Sequence, residues 1–162
     1  MTDRKKIVIV YLATLLATSL WISAIFLAPL LRKAESVWGS FLYTAFSPVC
    51  HQIPERCFFL WGFPLAVCSR CTGIYTGILI GLILFAVTNR FSSISVPQTG
   101  LFILLSIPLF IDTAGNLLHL WKTSAWMRFA IGSVWGVILP FFFVPGLSEA
   151  WIRQGEKKLI ES

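Results

Sequence analysis

Charge is what this sequence has least of. Asp, Glu, Lys and Arg together make up 12% of its 162 residues, and only 7 of these are acidic. A soluble domain carries about 25% charged residues, so this chain has too little charge to clothe a surface facing water. That excludes an ordinary water-soluble enzyme. Disorder is excluded as well, because 57% of the residues are hydrophobic and unfolded segments are poor in them. A small secreted disulfide scaffold fails on length and on a mean hydropathy of +0.81. The net charge of +6 could suggest nucleic acid, but no run of Lys and Arg interleaved with stacking aromatics is present, so no nucleic-acid partner is expected. Basic residues flanking membrane spans account for the charge. What remains is a single integral membrane domain over residues 1–162, with the lipid bilayer as its partner.

What is present instead is apolar sequence in long runs. A helix needs about 20 apolar residues to cross the hydrocarbon core, and four stretches meet that length, over about 7–31, 64–88, 101–121 and 125–147. The first is too long for a signal-peptide core and lacks a small-x-small cleavage site, so it is expected to be retained. Gly73, Gly77 and Gly81 in the second stretch, and Gly132 and Gly136 in the fourth, recur at four-residue spacing. Small residues so spaced let helices approach closely in lipid, within the chain or in a homo-oligomer through these glycine-rich faces. The loop from Lys122 to Ser124 is short enough to make the third and fourth helices antiparallel neighbours. Between the first and second spans, Val37, Trp38, Phe41, Leu42 and Ala45 share one helical face opposite Gly39, Ser40, Tyr43 and Ser47, the pattern of a short helix lying in the interface.

With four spans both termini share a side. Arg4, Lys5, Lys6, Arg90, Arg153, Lys157 and Lys158 fall on that side. Arg32, Lys33, Arg56, Arg70, Lys122 and Arg128 fall on the other, although Arg70 and Arg128 lie inside predicted spans. The positive-inside rule then puts both termini in the cytoplasm of a cell-membrane protein.

All four cysteines lie between residues 50 and 71, in Cys50-His51-Gln52-Ile53-Pro54-Glu55-Arg56-Cys57 and Cys68-Ser69-Arg70-Cys71. Cys68 and Cys71 are three apart, on one face of the second helix at its start, where the helix dipole favours thiolates. Two chemistries need this arrangement. A Cys-x-x-Cys pair bites one ion while a second segment supplies further ligands, so Cys50, His51, Cys57, Cys68 and Cys71 are candidates for a tetrahedral site. Zinc suits such a set best, and copper or iron also accept soft thiolates. Alternatively, Cys68 and Cys71 could exchange disulfides with Cys50 and Cys57, passing electrons to quinone. Two plain disulfides stapling the loop are the structural alternative. A small-solute or metal-ion transporter is a third functional class. It is disfavoured because little that is polar continues along the third span beyond Asp112 apart from Ser106.

Asp112, Asn116 and His119 are spaced i, i+4, i+7 and share one face of the third span. A charge inside a span faces the bundle interior with a partner. Arg128 is the first expected partner of Asp112, reaching roughly 9 Å by snorkelling inward, and Arg70 the second. Arg70, Asp112, Asn116 and Arg128 are thus expected to line a polar cavity next to the cysteines, with His119 at the interface.

The motifs Cys50–Phe58 (CHQIPERCF) and Val67–Gly77 (VCSRCTGIYTG), with Pro108, Asp112, Arg128, Gly132 and Gly136 downstream, resemble a family of small prokaryotic multi-pass membrane proteins of unknown function. The resemblance covers about residues 45–137. The family pattern mostly has Ser where this chain has Cys57, which implies Cys50, His51, Cys68 and Cys71 as the ligand set, with Cys57 spare. A looser likeness of parts is to quinone-linked disulfide oxidoreductases of bacterial membranes. The expectation is therefore an all-α membrane protein, a bundle of four transmembrane helices with a short interfacial helix between the first and second, carrying a transition-metal site at the outer face.

Overall fold

The computed structural model describes residues 3–88, 99–118 and 120–160. His119 and Arg90 lie outside the described residues, as do the side chains of Lys157 and Lys158. The fold is mostly helical. Helix α1 spans Asp3–Lys33, α2 Val37–Phe46, α3 Ser69–Val87, α4 Thr99–Leu117 and α5 Ala125–Ile160. Among the described residues, three stretches are long and apolar enough to cross a membrane: Arg4–Lys33, Ser69–Val87 and Ala125–Arg153. Phe102–Leu117 of α4 is a shorter apolar helix.

Helix α1 ends where Glu35 adopts a left-handed conformation (φ +54°) and the Ser36 N–H bonds the Leu31 carbonyl at 3.0 Å. That closure caps the last turn, and Arg32 and Lys33 there suit the negative end of the helix dipole. The chain then doubles back, and α2 lies against the end of α1 through Gly39, where a Cβ would stand 2.7 Å from the Arg32 nitrogen. Val37, Trp38 and Phe41 remain exposed on the outer face of α2.

The second span starts later than its hydropathy suggests. Pro64 belongs to a two-stranded hairpin, in which Phe59 pairs with Pro64 and Leu60 with Phe63. Trp61 (φ +53°) and Gly62 (φ +85°) form its two-residue turn, both in the left-handed region, the geometry that suits a tight hairpin. The apolar residues 65–67 are thus buried loop, with Leu65, Ala66 and Val67 almost fully enclosed, and α3 begins at Ser69. Likewise α4 ends at Leu117 rather than Trp121, and α5 runs well past Leu147.

The helices alternate in direction. Trp21 meets Tyr75 and Tyr11 stacks on Phe85, so α1 and α3 are antiparallel. Phe102 packs on Phe142 while Asn116 meets Arg128, so α4 and α5 are antiparallel, as the short loop requires. Helices α3 and α5 run parallel along a shared glycine seam. A Cβ on Gly73, Gly77 or Gly81 would run into the carbonyl oxygens of Phe129, Ser133 and Val137, and one on Gly132 or Gly136 into those of Arg70 and Ile74. The glycine faces therefore meet each other inside one chain. This corrects the expectation of a homo-oligomer through them, because neither face is left free.

Two apolar clusters fill the ends of the bundle. One joins Ile25, Ala28, Phe46, Cys50 and Leu65–Val67 where α1, α2, the hairpin and α3 converge. The other joins Ile7, Tyr11, Leu82, Phe85 and Val144 at the far end. Outward-facing Leu16, Leu20, Phe110 and Val134 are each more than half exposed, as side chains in contact with lipid would be.

The seam can be tested directly. Gly77→Ala should cost about 1–3 kcal/mol, the range for overpacking a close contact, whereas Gly146→Ala, with nothing within 4 Å of its added methyl, should be neutral. Unfolding of the detergent-solubilised variants measures both, and equal effects at the two sites would contradict the seam.

Candidate metal centre

Cys50 follows α2 directly, and its N–H bonds the Phe46 carbonyl at 3.1 Å, so the cysteine continues the turn that closes the helix. Cys68 is the N-cap of α3, and Cys71 stands in the helix's first turn. The Cys68 N–H donates to Cys50 Sγ at 3.1 Å. Two segments eighteen residues apart are thereby drawn together, and the sulfurs of Cys50, Cys68 and Cys71 lie within 4.8 Å of one another. Ligand sulfurs on one tetrahedral zinc would be about 3.8 Å apart, given Zn–S bonds of about 2.3 Å, so modest side-chain rotation suffices to close on an ion. All four cysteines are free. The Cys50 thiol is held below the ordinary thiol range because Cys68 and Cys71 donate to it, together with the Cys68 N–H. Cys68 is correspondingly held above that range by the proton it shares with Cys50.

Gln52 fixes this geometry. Its backbone is left-handed (φ +50°), uncommon for a residue with a side chain, and its amide Nε2 donates to the Tyr43 carbonyl at 2.7 Å and the Ala66 carbonyl at 2.8 Å. The Tyr43 hydroxyl in turn donates to the Pro64 carbonyl. One side chain thus clamps the end of α2 to the loop before α3, and the cysteines on either side follow. Sequence spacing gave no role to Gln52 or Tyr43. The left-handed backbone that aims the Gln52 side chain is not readable from composition.

The other expected ligands stand apart. His51 is exposed and lies on the rim of the adjoining pocket, outside the group of clustered sulfurs. Cys57 is buried, outside that group too, and its thiol donates to the Ile53 carbonyl at 3.2 Å. Burial pushes the Cys57 thiol up to about 12.

Below the sulfurs runs a polar network. Asp112 pairs with Arg70 across α3 and α4, which corrects the expectation that Arg128 is its partner. Arg128 instead donates from Nη2 to the Asn116 side-chain oxygen at 2.6 Å, because the N-terminal turn of α5 stands level with Asn116, one turn nearer the loop than Asp112. Arg70, in the first turn of α3, is free to descend. Thr123 closes the network, donating to Asp112 and accepting from Asn116 Nδ2 at 2.8 Å. Ser106, the next polar residue along α4, is satisfied by Trp135 at 2.8 Å. Arg70 and Arg128 line the pocket beside the cysteines, while Asp112 and Asn116 are buried behind them.

Residues 50–142 match the model of a family described as "Predicted membrane protein (DUF2085)". The chain belongs to that family. The DUF2085 segment opens at Cys50 and takes in every cysteine, the glycine seam and the Arg70–Asp112 pair, leaving α1, α2 and the end of α5 outside. An uncharacterized protein of Methanocaldococcus jannaschii is 33% identical over 141 residues, covering 83% of this chain and 90% of its own length. Another, from Methanothermobacter thermautotrophicus, is 37% identical over 93 residues, covering 57% of this chain and 81% of its own. No solved structure matches. This DUF2085 member is therefore a membrane protein with three cysteine sulfurs gathered where two segments meet.

The contrast between cysteines predicts their reactivity. With its thiol pushed up to about 12, about one Cys57 in ten thousand is ionised at pH 8, so metal-free protein treated with iodoacetamide at that pH should be alkylated at Cys50, whose thiol is held low, before Cys57. Peptide mass spectrometry reads the order, and early labelling of Cys57 would contradict its burial.

Proposed function

We propose that this protein holds a transition-metal ion on the thiolates of Cys50, Cys68 and Cys71, at the extracytoplasmic face of a four-helix membrane bundle. The observation that carries this reading is the meeting of three sulfurs from two segments within 4.8 Å, with Gln52 bracing the loop that carries one of them. Such a brace is what metal sites need, since partners beyond the ligands commonly set affinity by 10–100-fold. Zinc fits the donor set best through its preference for tetrahedral sulfur sites, and copper(I) and iron are the alternatives. A fourth ligand would come from the adjoining pocket, which His51 also lines.

Four spans are favoured over three because α4, at 19 residues, extends about 28 Å, close to the hydrocarbon thickness of about 30 Å, and because the helices alternate in direction. Arg4, Lys5, Lys6 and Arg153 stand at the end opposite the cysteines, which supports cytoplasmic termini. The exposed Val37, Trp38 and Phe41 of α2 then meet the outer interface.

The competing reading, thiol–disulfide exchange with quinone, needs a second cysteine pair. Its candidate, Cys57, lies outside the clustered sulfurs and is occupied by Ile53.

Elemental analysis of detergent-purified protein, paired with thiol counting, separates the two. The metal reading predicts about one ion per chain, lost in Cys50→Ser, Cys68→Ser and Cys71→Ser and retained in Cys57→Ser. Metal-free protein with its thiols oxidised to disulfides would overturn it in favour of exchange.

A further inference from the structure

Beside the three sulfurs lies a cavity of about 180 Å³, lined by Cys50, Cys68 and Cys71 together with Arg56, Arg70 and Arg128. Three arginines thus line one small space, and among the described residues no carboxylate lines it. Like charges brought together in a partly dry pocket repel strongly unless an anion joins them.

The available anions do not balance the set. The Asp112 carboxylate is committed to Arg70. Three thiolates around a divalent ion leave one negative charge, against the two positive charges of Arg56 and Arg128. Arg128 is the sharper case. It is 7% exposed, its hydrogen bond among the described residues goes to the neutral Asn116 amide, and its Nε is buried without a partner. Asp112 acts on it only at a distance and is bonded to Arg70, and a buried cation so incompletely compensated is costly. Arg56 is half-buried, and Gln52 spends its amide donors on Tyr43 and Ala66.

We propose that this pocket binds a small oxyanion, a phosphate or carboxylate group, with one oxygen on the open fourth position of the metal and the others on Arg56 and Arg128. The inference rests on the metal reading above and gives that site its ligand class. Arginine suits the task because its planar fork matches the oxygens of carboxylate and phosphate. The volume agrees, because pockets for drug-sized molecules begin at about 300 Å³ and this one suits a compact group. That group can arrive as a free anion or as the headgroup phosphate of a lipid, since the pocket opens near the end of the bundle.

Cobalt(II) loaded in place of the native ion reports both metal binding and a change of its fourth ligand through its visible absorption. The protein in zwitterionic detergent is titrated with inorganic phosphate and with acetate, and separately reconstituted in phosphatidylglycerol and in phosphatidylcholine nanodiscs. The expected result is a saturable shift of the cobalt bands with phosphate or acetate. A shift in phosphatidylglycerol nanodiscs alone would assign the same pocket to a lipid headgroup. Arg56→Gln and Arg128→Lys should each weaken the anion about tenfold, the loss of one charged hydrogen bond, with cobalt stoichiometry unchanged. Arg56 is only half-buried, so its variant tests the pocket even where Arg128→Lys misfolds. Cobalt bound with bands indifferent to every anion, or shifted equally in the arginine variants, overturns the anion pocket and leaves the metal site standing. Bands that ignore anions but move in His51→Ala show the imidazole closing the fourth position, which also overturns it. Failure of cobalt to bind the cysteines removes both readings together.

Discussion

The close contact of α3 with α5 is the constraint on which the rest depends. Lipid offers helices no hydrophobic reason to associate, so packing and polar contacts must hold them. Here the backbones meet along Gly73, Gly77, Gly81, Gly132 and Gly136, close enough that any Cβ would collide with the opposite carbonyls. The seam sets the N-terminal turns of the two helices side by side. That places Arg70 and Cys71 of one turn beside Arg128 of the other, and the cysteine group and the arginine wall are both consequences. A side chain anywhere on the seam would separate the helices and spread the site.

The few internal charges follow the same frame. Arg70 reaches Asp112 on α4, and Arg128 reaches Asn116 one turn nearer the loop. These bonds tie α4 to helices it otherwise touches lightly, through Phe102, Ser106 and Trp135. A buried pair of this kind gives little net stability but fixes which elements meet, because a wrong neighbour would strand a charge in a dry interior. Breaking it from either side would leave the other ion without compensation.

Much of this was legible in the sequence, for physical reasons that also explain the failures. Composition and long apolar runs determine a membrane protein, and glycines four apart announce a helix seam. Spacing does not say which face meets which, so the same glycines could equally have served a dimer. The Cys-x-x-Cys spacing puts two sulfurs on one helical turn, whereas clustering alone left Cys50 and Cys57 both open and only the motif resemblance implied Cys50 as the partner. What spacing cannot carry is the backbone's left-handed turns. Those at Gln52, Trp61 and Gly62 aim a clamp, fold a hairpin out of what reads as span, and leave His51 exposed at the rim. Depth arguments along a helix named the arginines correctly but paired Asp112 with the wrong one first, because they measured Arg128 against α4 alone and did not weigh how far Arg70 reaches from the first turn of α3.

The account stands or falls on what surrounds an ion at Cys50, Cys68 and Cys71. X-ray absorption at the edge of the metal that copurifies with the protein measures this shell without labels or substitutions. The account predicts three sulfurs, at about 2.3 Å if the ion is zinc, and one lighter oxygen neighbour. A shell of four sulfurs would bring Cys57 out of its buried site and contradict the three-sulfur centre, and a shell with no sulfur would remove the centre altogether.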